Sequence, residues 1–196
     1  MRKTLLAYFA TILTIVLLLS GCTKTPTYEW EDLKYVTDNY SLEDAKDEGY
    51  VIIEDLRVTS GKEIWQEFVN LAAKKKPCKV RVVHYYTLDD RSRYDEDYYE
   101  SIKDKYPVMY IHELVYDGGI FVVSHYEDGK LIESEFKFLK KYEGDAETPN
   151  ATYSSYVRYV LVNDDKVTWE ELMRGMLSSR SGAYIPHYQI YTDLIG

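Results

Sequence analysis

The chain has 196 residues, with 24 basic and 33 acidic side chains and a formal charge of −9. A surface of that sign repels phosphate backbones and anionic lipid heads, which argues against nucleic acid as a partner; the plainest use of the charge is solubility. Hydrophobic residues make up 45% of the chain, enough for a packed core and unlike the composition of a disordered polymer.

Arg2 and Lys3 open the chain, and the run from Leu5 to Leu19 is apolar apart from Thr11 and Thr14. A basic start, a short apolar run and the small pair Ser20-Gly21 read as a secretory signal peptide, since a membrane span needs about 20 apolar residues. The segment Leu19-Ser20-Gly21-Cys22 resembles the lipobox of bacterial lipoproteins. That resemblance implies that the Cys22 thiol takes a diacylglyceryl group and that residues 1–21 are removed. It also implies that the remainder is held at the extracytoplasmic face of the cell membrane through lipid. Two acyl chains hold stably, because each buried methylene contributes about 0.8 kcal/mol. The alternative, an uncleaved N-terminal anchor helix, leaves the remainder on the same side of the membrane. Without residues 1–21 the chain keeps 22 basic and 33 acidic side chains, a formal charge of −11. Cys78 is then alone, which excludes an intramolecular disulfide, and beside Pro77 it reads as a small buried hydrophobe.

Residues 22–40 are polar, carry Pro26 and show no sustained periodicity, so they read as a tether. Its aromatics, Tyr28, Trp30 and Tyr35, either dock back on the domain or rest at the membrane interface. Residues 41–196, about 155 in number, form a single domain. Ser41-Leu42-Glu43-Asp44-Ala45 begins a short capped helix, and residues 50–53 a brief strand. Ser60-Gly61-Lys62-Glu63 has the pattern of a capping box, followed by Ile64, Trp65, Phe68, Leu71 and Ala72 at helical spacing as far as about Lys76. Residues 79–87 read as a strand; residues 88–106, crowded with acids and tyrosines, read as a solvated loop or short helix. Strands at 108–116, 120–126 and 130–140 are separated by Asp117-Gly118-Gly119 and Asp128-Gly129, the turn chemistry of antiparallel hairpins. A loop at 143–152, a strand at 153–162, a second capped helix from Thr168-Trp169-Glu170-Glu171 and a Tyr-rich tail complete the chain. The expected fold is α+β: an antiparallel meander of about five strands with two amphipathic helices packed on one face.

Two constellations bear on function. A two-residue loop at 118–119 sets His112 directly across from His125, a loop at 117–118 makes them diagonal neighbours on one face, and a three-residue loop puts them on opposite faces. The next turn sets His125 across from Ile132 and Phe121 across from Phe136. His84 joins them if its strand neighbours this hairpin, and three imidazoles on one face would suit zinc. The alternative for each is a half-buried histidine with a backbone or tyrosine partner. Tyrosine is the second theme, 21 residues against 5 phenylalanines. Tyr153, Tyr156 and Tyr159, or Tyr184, Tyr188 and Tyr191, would floor a sugar or peptide groove. No nucleophile elbow, Walker loop or dinucleotide fingerprint is present. The expectation is therefore a binding or accessory domain on the cell envelope, not a catalyst. Its partner would be an envelope protein, peptide or glycan. A metal- or small-ligand-binding protein centred on His112 and His125 is the first alternative, and a hydrolase assembled from distant residues the second.

The segments Tyr40-Ser41-Leu42-Glu43-Asp44-Ala45, Val80-Arg81-Val82-Val83-His84-Tyr85-Tyr86-Thr87 and Leu114-Val115-Tyr116-Asp117-Gly118 resemble a family of bacterial lipoprotein domains known as domain of unknown function 4362. The resemblance covers about residues 40–140. It implies a compact extracytoplasmic domain and brings no catalytic residues with it. The acidic stretch 88–106 and the Tyr-rich end beyond about 145 depart from the family pattern.

Overall fold

The computed structural model describes residues 30–36, 40–146 and 148–196; the leader, Cys22 and the first part of the tether lie outside the described residues. The fold is α+β. Strands β1 (Val51–Glu54), β2 (Arg57–Ser60), β3 (Cys78–Tyr86), β4 (Val108–Tyr116), β5 (Phe121–Glu127) and β6 (Lys130–Phe136) form a sheet in the order β2-β1-β3-β4-β5-β6. A second sheet, β7-β8-β9, is built from Phe138–Asp145, Ser155–Val162 and His187–Ile195. Among the described residues the α-helices are α1 (Leu42–Asp47), α2 (Lys62–Ala73), α3 (Glu96–Ile102) and α4 (Trp169–Leu177).

The meander β4-β5-β6 follows its turn signals. His112 pairs with His125, the register of a loop at 118–119 and not of one at 117–118. His125 pairs with Ile132 and Phe121 with Phe136, as expected of the second turn. The rest of the topology corrects the expected antiparallel meander. β1 runs parallel to β3, and the chain passes between them through β2 and α2, as a parallel pair requires. β2 is silent in the sequence because its turn residues, Asp55 and Leu56, take positive φ (46° and 67°) without the Asn-Gly or Asp-Gly that usually marks such a turn. The strand expected over 130–140 breaks at Lys137, and its halves belong to different sheets. The Tyr-rich tail is β9, the edge of the second sheet that faces β2.

The helices do not share one face either. α1 and α4 start in true capping boxes, Ser41 with Asp44 and Thr168 with Glu171. α2 does not: its N-cap is Gly61, at φ 76°, with no side-chain bond. A Cβ there would stand 2.6 Å from the Tyr50 carbonyl oxygen and 2.8 Å from the Val51 Cα, so the approach of helix to strand admits only glycine. α2 drives Trp65 and Phe68 into the main core, between Val80, Val82, Leu114 and Val123 of the first sheet and Leu161 and Ile190 of the second. Trp65 stacks on Tyr191 (centroids 4.6 Å apart) and meets Tyr159 edge-on at 5.1 Å. α1 covers the opposite face of the first sheet over Ile52 and Val83, and α4 the outer face of the second over Val160 and Val162.

Polar contacts bolt β2 to β9. Arg57 donates to the carbonyls of Leu194 (2.9 Å) and Thr152 (2.7 Å), and buried Asp193 accepts from the Val58 amide and Lys62 Nζ. On the α1 face a second clamp holds the N-terminal segment. Arg81, 1% exposed, donates to Glu113 (3.0 Å), to the Tyr50 hydroxyl (2.7 Å) and to the Glu31 carbonyl. Its guanidinium lies over the rings of Trp30 and Tyr50, and Trp30 Nε1 donates to the Glu48 carbonyl. Of the two fates open to the tether aromatics, Trp30 takes the first: it docks. Cys78 lies against the core as expected, and burial pushes its thiol up to about 11. Among the described residues no helix is long and apolar enough to cross a membrane.

Candidate functional site

Alternation along β3 and β4 sets His84, Tyr86, Tyr110 and His112 on the core-facing side of the first sheet, where the aliphatic packing ends. β9 brings His187, Tyr188 and Gln189 to the same place, and the β1–β2 turn brings Leu56. Together they line a hollow of about 340 Å³ at the mouth of the space between the sheets.

Of the three predicted histidines, His84 and His112 line this hollow, and His125 lies beside His112 but lines a neighbouring hollow. The rings of His84 and His112 lie 5.1 Å apart at 87°, and those of His112 and His125 lie 5.3 Å apart. They form a ladder across three strands, not a ring around one point. His84 Nε2 is bonded to the Ile190 carbonyl at 3.1 Å. Among the described residues no group of three or more His, Cys, Asp or Glu side chains is placed to hold a metal ion, so the zinc expectation finds no ligand set.

Three departures from regular structure coincide at this hollow. The β8–β9 register skips at Ile190, between the pairs Tyr159–Tyr191 and Val160–Gln189, and this bulge turns the Ile190 carbonyl to His84. Leu56 holds a left-handed conformation unusual for its type. Among the described residues, Nδ1 of His112 is buried without a hydrogen-bond partner, as is Nδ1 of the neighbouring His125, which lines a different hollow. Each such orphan costs about 1–3 kcal/mol, and irregularities of this kind concentrate where a protein binds or reacts.

Among the described residues no charged side chain lines the hollow, although Asp55 acts on Tyr86 and Glu127 on Tyr188 from outside it. Burial, reinforced by the imidazoles of His84 and His125, pulls His112 down to about 3 against a weaker opposing interaction with the Val82 backbone. Burial also lowers His84, against the opposing bond to Ile190. It pushes Tyr188 up to about 12 and raises Tyr86. All four groups are therefore neutral at physiological pH.

The predicted tyrosines do not gather. Tyr188 lines the hollow, 5.7 Å from His112 and 6.3 Å from His125. Tyr159 and Tyr191 are core residues around Trp65, and Tyr156 is buried near Trp169 on the outer face of β8. Tyr184 is exposed beside His187, and Tyr153 precedes β8. A three-residue spacing on a strand puts Tyr156 and Tyr159 on opposite faces, which rules out a shared floor. Sequence reasoning missed Tyr86 and Tyr110, although alternation places both with His84 and His112 once β3 neighbours β4. Leu56, His187 and Gln189 carried no comparable signal.

A larger hollow of about 580 Å³ lies beside the N-terminal segment, where Leu33, Val36, Leu42, Met109 and Ile111 are joined by Tyr40, Tyr85, Tyr110, Tyr126 and His125. It holds one imidazole, against the three of the His–Tyr hollow, where His84 and His187 also have fixed backbone partners. No family model, curated protein or solved structure matches the chain, so its functional reading rests on the site itself.

Proposed function

We propose that the chain is a lipid-anchored extracytoplasmic binding module that seats a small ligand in the His–Tyr hollow and does no chemistry on it. The observation that carries this reading is the convergence of three imidazoles and three tyrosine rings, those of His84, His112, His187, Tyr86, Tyr110 and Tyr188, on one open hollow where the core ends. A concave aromatic space with a few convergent polar groups is what a small-molecule site requires. The anchoring half of the reading is supported by the basic, apolar and Gly-Cys order of residues 2–22.

Thermal unfolding of the purified full chain against neutral sugars, short peptides, choline and inorganic phosphate tests the binding half. A ligand at a hundred times its Kd adds about 2.7 kcal/mol, roughly 5–10 °C in Tm at this size. At least one probe is expected to raise the Tm of the wild type and not that of Tyr188→Ala. No shift with any probe, or a shift kept by the variant, contradicts the reading.

A further inference from the structure

Resting on that reading, we propose that the hollow takes an uncharged, hydroxyl-rich ring compound, a carbohydrate unit. The unit stacks on tyrosine and donates its hydroxyl protons to imidazole nitrogens. Four observations lead there.

The first is the absence of charge. No Lys, Arg, Asp or Glu lines the hollow, in a chain with 57 such side chains in all. An anion entering it loses water and meets no cation in the lining, while the carboxylates of Asp55 and Glu127, which act on Tyr86 and Tyr188 from outside it, add repulsion. An uncharged ligand escapes both penalties.

The second is the direction of the hydrogen bonds. A carbonyl oxygen only accepts, so the bond from His84 Nε2 to the Ile190 carbonyl places the ring proton on Nε2. The bond from His187 Nδ1 to the Ile185 carbonyl, 2.7 Å long, places that ring's proton on Nδ1. The nitrogens left open are Nδ1 of His84 and Nε2 of His187, both acceptors in the neutral ring. Two fixed acceptors ask for a ligand that brings several donors, as a sugar does.

The third is the aromatic wall. Tyr86 stacks against His84, Tyr110 stands at 63° to Tyr86, and Tyr110 remains 51% exposed. An exposed ring beside oriented acceptors matches the apolar C–H face and polar edge of a pyranose. The fourth is size. About 340 Å³ sits at the low end of the roughly 300–1,000 Å³ of small-molecule sites, room for one or two rings.

Isothermal titration of the purified full chain with glucose, galactose and N-acetylglucosamine, and separately with choline, phosphate and a neutral tripeptide, decides the matter. At least one sugar is expected to bind. Its Kd should rise at least tenfold in Tyr110→Ala, whose exposed position keeps folding intact, and in His187→Phe, which removes an acceptor. Circular dichroism checks both variants. Binding of choline, phosphate or the tripeptide with no sugar binding overturns the carbohydrate assignment and leaves the pocket reading standing. A sugar bound equally by wild type and both variants places it elsewhere and overturns the assignment. No binding by any probe ends both.

Discussion

His112 is buried where a proton on its ring would meet no counter-charge, and the consequence is measurable. In the unfolded chain an imidazole takes up its proton near pH 6.5; in the fold, His112 does so only near 3. Below 6.5 the unfolded state therefore binds more protons, so the stability this group contributes is complete above 6.5 and drains away as pH falls toward 3. The slope for one such group is about 1.4 kcal/mol per pH unit, and His84, shifted the same way, adds to it. Urea unfolding at pH 6.5 and 5.0 should show a loss of about 2 kcal/mol or more. His112→Leu should lose clearly less over the same interval. Equal losses in the two proteins would mean that His112 is not held neutral by burial.

Elements differ in how openly the sequence announces them, and the reasons are physical. The hairpin β5-β6 was legible down to the residue pair because Asp128-Gly129 fixes its register, whereas Asp117-Gly118-Gly119 left two registers open for β4-β5 and alternation settled only the face. The caps at Ser41 and Thr168 were equally plain. β2 was invisible because its turn spends positive φ on Asp55 and Leu56, and because a four-residue strand shows too little alternation. β9 read as a tail because Tyr184, Tyr188 and Tyr191 fall at helical spacing, not at the two-residue period of a strand, while Gly182 and Pro186 interrupt any helix there. The two clamps were out of reach, since nothing local pairs Arg57 with Leu194 or Arg81 with Glu31. The α2 start was misjudged: Gly61 is chosen for its closeness to β1, not for a capping bond. Gly61→Ala is accordingly expected to destabilise by more than about 2 kcal/mol, through both the left-handed φ and a collision with backbone, read from urea midpoints. A cost under 0.5 kcal/mol would refute that contact. Arg81→Leu is expected to cost about 2–3 kcal/mol and to speed tryptic cleavage after Lys34, because the guanidinium holds the Glu31 carbonyl and the Trp30 ring. Cleavage as slow as in wild type would show that the segment is held by something else.

At the scale of the whole molecule, two sheets meet over one core, and the candidate site sits where that core opens. The half of the site on β3 and β4 could be read from alternation; the half on β9 could not, because which strand closes a sandwich is a long-range fact. Docking of Trp30 also bounds the geometry of anchoring. Trp30 lies eight positions after Cys22, and an extended chain spans at most about 3.3–3.6 Å per residue. A lipid on Cys22 would thus hold the α1 face within roughly 30 Å of the bilayer. Binding at a cell envelope has meaning only if the chain is exported and moored there. The direct measurement is fractionation of cells labelled with radioactive palmitate and expressing wild type or Cys22→Ser. The account predicts label and membrane retention for the wild type, and an unlabelled serine variant in the soluble or secreted fraction. A serine variant as firmly membrane-bound as the wild type would contradict it.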